Sequence, residues 1–294
     1  MPFRFEEIGQ RLRAYRMGSG LGAEEIAQRL GISRAALYRY EKGELAKIET
    51  IAKLSDLLGV SVPSLLGVGV EYAASALSFF ERMRQIEENA EHIIVLFGPI
   101  SYLLTSDEYD ETLAQVLKES IPEDIEDAAR AHAEVDELMG VLRQRKEAYR
   151  QRRPSLVSLI AAGELERFLA HGLLGARTLG EVQRTERRAM ARREAAHIIG
   201  RMSDEPIGVQ IGVVEDTLPN TSFQIFRQGE RSFVAVSPFR LGEQPNVRVG
   251  VAMITSAPEA LSLHEEVAAA LWRRALKGRQ AADFVRRLLA DAEG

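Results

Sequence analysis

The chemistry most evident in the sequence is hydrogen-bond donation from two arginines, Arg34 and Arg39, with a small residue, Ala35, between them. A guanidinium group presents parallel N–H donors that match the two acceptors on the major-groove edge of guanine. A small alanine can lie against the methyl group of thymine. Ser33 can donate to a phosphate, as can the free amides at a helix start. These residue types indicate recognition of DNA, provided that one surface presents them together.

A helix, a turn and a second helix would hold these side chains on one surface. Apolar residues at helical spacing predict one helix over 23–30 and another from the N-cap Ser33 to about Glu41, with Gly31 in the turn. In such a unit the second helix enters the major groove. Leu37 must point inward. The exposed face of the second helix then presents Arg34, Ala35, Tyr38 and Arg39.

Three further helices complete a predicted all-α, five-helix N-terminal domain over residues 1–67. One precedes the unit and two follow it, with apolar positions at Phe5, Ile8, Leu12 and Tyr15, then at Ile48, Ile51, Leu54 and Leu58, and finally at Leu65 and Leu66. Arg13 lies off the buried face of the first helix and is expected to contact phosphate. Lys42, next to the end of the groove-binding helix, is also predicted to contact DNA.

The segment Leu21–Gly43, LGAEEIAQRLGISRAALYRYEKG, resembles the XRE family of helix-turn-helix regulators, which includes lambdoid phage repressors. The resemblance covers about residues 5–67 and implies a regulator that binds double-stranded DNA. It assigns base reading to Arg34, Ala35 and Arg39, and it implies a structural ion pair between Arg16 and Glu41. Ala23 stands where the family often has a glutamine that contacts phosphate, so backbone amides would make that contact here.

The residue pattern changes after position 67 and predicts a second domain over 68–294, joined by a short hinge at Gly67-Val68-Gly69-Val70. The pattern is helical over 71–203, rich in strands over 207–256 and helical again over 259–291. Helices that flank a mostly antiparallel sheet indicate an α+β domain. Its predicted elements include helices over 72–85, 123–150 and 178–202, a buried strand or helix core over 93–97, and strands around 209–213, 223–225, 233–236 and 247–251.

This second domain resembles, over shorter motifs, the C-terminal domain attached to XRE-type heads in many actinomycete regulators. Leu103–Tyr109 stands in place of a Leu-Leu-Gln-Thr-x-x-Tyr motif, with threonine for glutamine and serine for threonine, and Arg143–Lys146 is comparable to a basic helix end. The resemblance implies a regulatory or antitoxin-like domain and names no ligand.

The sequence contains no pattern typical of a catalytic or metal site. Cysteine is absent, and none of the five histidines has zinc-ligand spacing. A glycine-rich phosphate loop and a nucleophile elbow are missing. We therefore expect no enzymatic activity, no metal and no cofactor. No signal peptide and no apolar run of membrane length is visible, which predicts a cytoplasmic protein without a membrane partner.

The predicted helix over 178–202 is rich in arginine and allows two interpretations. Its arginines could bind phosphate, DNA or an acidic ligand, or they could form a solvated face paired with acids of the same domain. The arginines concerned are Arg184, Arg187, Arg188, Arg192 and Arg193.

Charge separates the two predicted domains. Residues 1–67 carry ten Lys or Arg and eight Asp or Glu, a net charge of +2, and the chain total of −5 leaves −7 for the rest. A basic domain attached to an acidic one favours a DNA-binding regulator, and we expect a dimeric repressor whose second domain dimerises and responds to a small-molecule or protein effector. The alternatives are an antitoxin-like protein that autoregulates through its N-terminal domain and an enzyme fused to a DNA-binding domain.

Overall fold

The computed structural model describes residues 4–44, 46–96, 98–175, 179–215 and 221–292. Its N-terminal part, called the head (residues 4–67), contains the five predicted helices. They are α1 (Phe5–Gly18), α2 (Ala23–Leu30), α3 (Arg34–Glu41), α4 (Ile48–Leu58) and α5 (Val62–Leu66).

Local sequence signals explain why the head folds as predicted. The Oγ of Ser33 accepts a hydrogen bond from the amide of Ala36 at 3.1 Å and so caps α3. Gly9 lets α1 approach α3 closely, because a Cβ there would lie 2.5 Å from the carbonyl oxygen of Tyr40. One apolar residue or more from each helix fills the core, which is built around Leu12, Tyr15, Ile26, Leu37, Leu54 and Leu65.

An eight-stranded mixed sheet forms the centre of the remaining chain, called the body (residues 68–292). Its spatial order is β1-β7-β6-β5-β2-β3-β4-β8. Only β2 with β3 and β3 with β4 pair in parallel, so the predicted α+β body with a mostly antiparallel sheet is confirmed. The strands are β1 (Val70–Ala73), β2 (His92–Leu96), β3 (Ser155–Ala161), β4 (Val209–Val214), β5 (Ser222–Gln228), β6 (Arg231–Ser237), β7 (Ala252–Thr255) and β8 (Leu276–Lys277).

More helices pack on one face of the sheet than on the other. They are α6 (Ala76–Glu87), α7 (Asp107–Glu119), α8 (Ala128–Arg152), α9 (Ala162–His171), α10 (Glu181–Asp204), α11 (Pro258–Arg274) and α12 (Gly278–Asp291). The larger core lies between one sheet face and helices α6–α10 and α12. The smaller core lies between the other face and α11, where Leu271 packs near Phe223 and Val234.

Two predicted helices of the body begin later than expected. The helix predicted from Tyr72 is wrong at its start, because Val70–Ala73 pairs with β7 as a strand and α6 begins only after its cap, Ser75. The helix predicted from Glu123 begins at Ala128, because Asp127 is the residue that caps it, accepting from the amide of Arg130 at 2.9 Å. Acidic residues upstream offered several plausible caps, and the sequence did not distinguish them.

The strand predicted over 247–251 is also misplaced, since β7 covers Ala252–Thr255. The side chain of Asn246 bonds locally to the backbone of Val249, donating to its carbonyl at 2.7 Å and accepting from its amide at 3.1 Å. Such bonds compete with a strand ladder. The region predicted as helical over 71–203 also supplies β1, β2 and β3. Phe97 and Thr178, at the ends of two predicted elements, lie outside the described residues.

A buried ionic contact joins the head to the body beside the predicted hinge. Arg11 of α1 donates to Glu71 of β1 at 2.6 Å, and Arg82 of α6 donates to the same carboxylate at 2.9 Å. All three residues are buried. Gln85 adds a hydrogen bond to the backbone oxygen of Gln10 at 3.0 Å. The predicted domain boundary at 67/68 stays a prediction, but the two sides of it are held in one arrangement by these contacts.

Close packing of α1 on α6 at the same junction requires a glycine, Gly18. Gly18 ends α1 against the first turn of α6, and a Cβ at that position would lie 2.3 Å from the Oγ of Ser75. The backbone of α1 at Gly18 therefore packs directly against the side chains of Ser75 and Ser78.

Replacing Glu71 with glutamine should lower the free energy of unfolding by about 3–5 kcal/mol, because two buried guanidinium groups would lose their carboxylate. Burial raises the pKa of Glu71, but Arg82 and Arg11 outweigh burial and hold it below its usual value of 4.5. The native carboxylate therefore stabilises the fold above that value, and this contribution is lost as pH falls through the lower folded pKa. Urea unfolding at neutral and acidic pH measures both effects.

Glu88→Gln is the matched control for this variant. Glu88 is a partly exposed carboxylate at the end of α6, the helix that carries Arg82, and it pairs with Arg84, so its loss should change stability by less than about 0.5 kcal/mol. Equal stability of Glu71→Gln and the native chain would contradict the prediction.

Candidate nucleic-acid interface

The outer face of α3 is exposed to solvent in the presence of the described residues of the body. Arg34, Ala35, Tyr38 and Arg39 are exposed, whereas Ala36 and Leu37 are buried beneath them. The structure thus places Arg34, Ala35 and Arg39, the predicted base-reading residues, together with Tyr38 on one surface. No part of the described body covers that surface.

Arg34 and Tyr38 are organised as a pair on this face. The guanidinium group of Arg34 donates to the hydroxyl oxygen of Tyr38 at 3.1 Å and lies 5.4 Å from the centroid of its ring. The hydrogen bond to Tyr38 raises the pKa of Arg34, so the group is charged at every pH of interest. The contact with Tyr38 engages Nε and Nη2 of Arg34 and so restricts the orientation of its guanidinium group.

Arg39 has a different neighbour. Its Nε lies 2.9 Å from a carboxylate oxygen of Glu44, and both side chains are exposed. Exposed pairs of this kind contribute roughly 0–1 kcal/mol, so a guanine edge can compete with Glu44 for the guanidinium group. Sequence reasoning did not identify Glu44 as a partner, because it lies beyond the end of α3.

The ion pair between Arg16 and Glu41 is present. Nε of Arg16 lies 2.5 Å from one carboxylate oxygen of Glu41, and Nη2 lies 3.2 Å from the other. The two-point contact connects the last turn of α1 to the last residue of α3 and fixes the angle between the helices. Burial lowers the pKa of Arg16, and the contact with Glu41 outweighs it and raises the pKa.

The other predicted DNA-contacting residues lie around this face. Ser33 is exposed at the start of α3, with its oxygen accepting the capping bond, and Lys42 is exposed at the other end. Arg13 is half exposed on α1, and its Nε lies 3.4 Å from Glu81 of the body. It is thus located at the junction rather than beside α3, and its contact with phosphate stays a prediction.

Sequence reasoning missed the residues that hold the head in place. Arg11, Glu71 and Arg82 form the buried contact, yet Arg11 and Glu71 are 60 positions apart and no local pattern connects them. A charged residue on the inner side of α1 was the only available signal.

The described residues show no site for a metal and no membrane span. Within them, no three His, Cys, Asp or Glu side chains are grouped so that they could hold a metal ion. The helices found in those same ranges are too short or too polar to cross a membrane.

Comparison with known proteins identifies the N-terminal part. A family model described as a helix-turn-helix domain matches residues 7–66. Residues 7–66 are a helix-turn-helix domain. The match includes α2 and α3 and nearly all of the head, and it extends over about a fifth of the chain.

Two further comparisons concern the whole chain. A comparison with curated proteins gives no match for the chain. Among solved structures, the chain is similar to TrmBL2, an archaeal chromatin protein whose structure is described as showing a novel mode of DNA binding. The two sequences are 10% identical, the match covers 78% of this chain and 62% of that chain, and the TM-score is 0.32. A likeness at this level carries no argument about function.

Arg39→Ala should weaken specific DNA binding by about 1–3 kcal/mol and relax the preference at one base position, because a base-edge contact is removed.

Arg13→Ala should weaken binding to all sequences about equally and reduce the salt dependence, as loss of a phosphate contact does. Fluorescence anisotropy with a selected operator and its single-base variants distinguishes these results.

Arg227→Ala serves as the control for both variants, since it removes an exposed arginine of the body that is paired with Glu265. It should leave affinity and preference unchanged. An Arg39→Ala protein with its sequence preference intact would show that α3 does not read the bases through this residue.

Proposed function

We propose that this protein is a sequence-specific, DNA-binding transcriptional regulator. The observation that carries the proposal is the exposed outer face of α3, which presents Arg34, Ala35, Tyr38 and Arg39 on a helix-turn-helix domain. Its side chains match the donors and apolar contacts that read a major groove. The bound partner is double-stranded DNA. The proposal assigns no enzymatic activity, and it places the protein in the cytoplasm with its DNA.

Electrostatics support an orientation in which only the head meets DNA. The head carries a net charge of +2 and the remainder −7, so phosphate attracts one part and repels the other. Repulsion of the body favours complexes in which α3 approaches the duplex and disfavours binding through other surfaces. We expect modest nonspecific affinity and a dependence on salt set by a few cations of the head.

We further propose that the protein acts as a dimeric repressor. One helix-turn-helix domain buries too little surface for tight specific binding, and two-fold proteins read half-sites about one helical turn apart. The buried contact of Arg11, Glu71 and Arg82 would let the body set the distance between two heads. Repression requires only that the dimer occupies its operator, and an effector bound to the body would alter that spacing.

The purified chain should bind the DNA upstream of its own coding sequence and not scrambled DNA of equal length. Fluorescence anisotropy at two salt concentrations measures this, because sequence reading survives an increase in salt that abolishes phosphate contact alone. Equal, strongly salt-dependent binding to both DNAs would contradict sequence reading at that operator. Absence of binding to either would favour the antitoxin-like, protein-binding alternative.

Light scattering at micromolar concentration should give twice the chain mass without DNA, and twice the chain mass plus the mass of one duplex with operator DNA. The dimer is expected because both heads must contact one duplex to reach specific affinity. One chain per particle in both conditions would overturn the dimeric part of the proposal and leave DNA binding by the head unaffected.

A further inference from the structure

The arginines of α10 divide into two groups in the structure. Arg187 is buried and donates to Glu119 at 2.7 Å, and Nε of Arg193 donates to Glu108 at 3.0 Å. Arg192 donates to the backbone oxygen of Ala292 at 2.6 Å. Contacts within the chain therefore account for the positions of these three side chains, as expected for basic residues in an acidic body.

Arg184 and Arg188 form the second group. Arg184 donates through Nε to the backbone oxygen of Leu179 at 3.1 Å, and Arg188 makes no hydrogen bond or ion pair with the residues that the structure describes. Neither has a carboxylate partner within the described ranges. The two cations are one helical turn apart, where like charges repel each other and destabilise a helix. No carboxylate among the described residues therefore balances the charge of Arg184 or Arg188.

Both arginines line the same cavity, which has a volume of about 650 Å³. It lies between the end of α9, the start of α10 and the segment at 244–245. Ligand pockets for small molecules span roughly 300–1,000 Å³, so the cavity is large enough for a metabolite. Leu174, Leu179 and Pro245 form an apolar part of the wall, and no carboxylate is among the described residues that line it.

The polar residues of the wall complete a site suited to negative charge. His171 lines the cavity, and its Nδ1 lies 3.1 Å from Glu243, whose other oxygen is 3.2 Å from Arg167. The negative charge of Glu243 is thus paired with Arg167, which does not line the cavity. Gln244 adds an amide. The uncompensated charge at the cavity wall is therefore positive, although residues 68–294 together carry a net charge of −7.

We propose that this cavity binds a small organic anion that carries a carboxylate or a phosphate group. Arg184 and Arg188 hold the charged group, since planar guanidinium groups match both oxyanions with paired donors. The apolar part of the ligand lies against Leu174, Leu179 and Pro245. The inference deepens the proposed function by giving the effector a chemical class. The binding itself does not depend on DNA.

Isothermal titration calorimetry of the full chain, without DNA, tests the proposal. The probes are inorganic phosphate, phenyl phosphate and succinate at constant ionic strength, with the neutral diamide of succinate as the uncharged comparison. At least one anion should bind with one site per chain, and the diamide should not. Preference for phenyl phosphate over succinate would assign a phosphate ligand, and the opposite preference would assign a carboxylate.

The double variant Arg184→Gln/Arg188→Gln should weaken anion binding by about tenfold or more, because two charge-assisted contacts are lost. Arg193→Gln removes the same charge from the same helix outside the cavity and should bind like the native chain. Urea unfolding of each variant shows that the fold is retained, and the single variant Arg188→Gln should give an intermediate loss. No binding of any anion to the native chain, or equal binding by the double variant, would overturn the proposal.

Discussion

The position of the outer face of α3 relative to the body depends on one buried carboxylate, that of Glu71. Arg11 from the head and Arg82 from α6 both donate to it, so one acidic group is shared by cations from two parts of the chain, and Glu7 adds a second carboxylate beside Arg11. Burying charges costs free energy unless every partner is present, and such a contact tolerates few alternative geometries. This contact therefore specifies the orientation of the head relative to the sheet, because other orientations would leave some of these buried charges unpaired.

Helix α6 transmits this constraint into the body. It carries Arg82 and Gln85 toward the head, and Glu87 at its other end accepts from the buried Arg145 of α8 at 2.6 Å. Head, α6 and α8 are thus connected by successive buried ionic contacts. A displacement of α8 relative to the head would break at least one of them. We therefore expect the head, with α3, to move together with α6 and α8.

The head was predictable because its determinants are local. The bounds of α3 follow from the cap Ser33 and from apolar spacing, and the exposed residues of its outer face follow from which side of that helix is buried. Elements fixed by distant partners were not predictable: Tyr72 belongs to a strand only because β7 pairs with it. Nor could the sequence distinguish Arg188 from Arg193, since both are arginines of one basic helix and only the fold places one beside an acid and the other at a cavity.

The pairing of β1 with β7 has a consequence for biosynthesis. Val70 pairs with Thr255, so the first strand of the body acquires its neighbour only after the residues up to Thr255 have left the ribosome. The five helices of the head make short-range contacts and can form while translation continues, since domains generally fold from the N-terminus as they emerge. Every nascent chain therefore passes through a period in which a folded head is tethered to an unfinished sheet whose strand β1 is still unpaired.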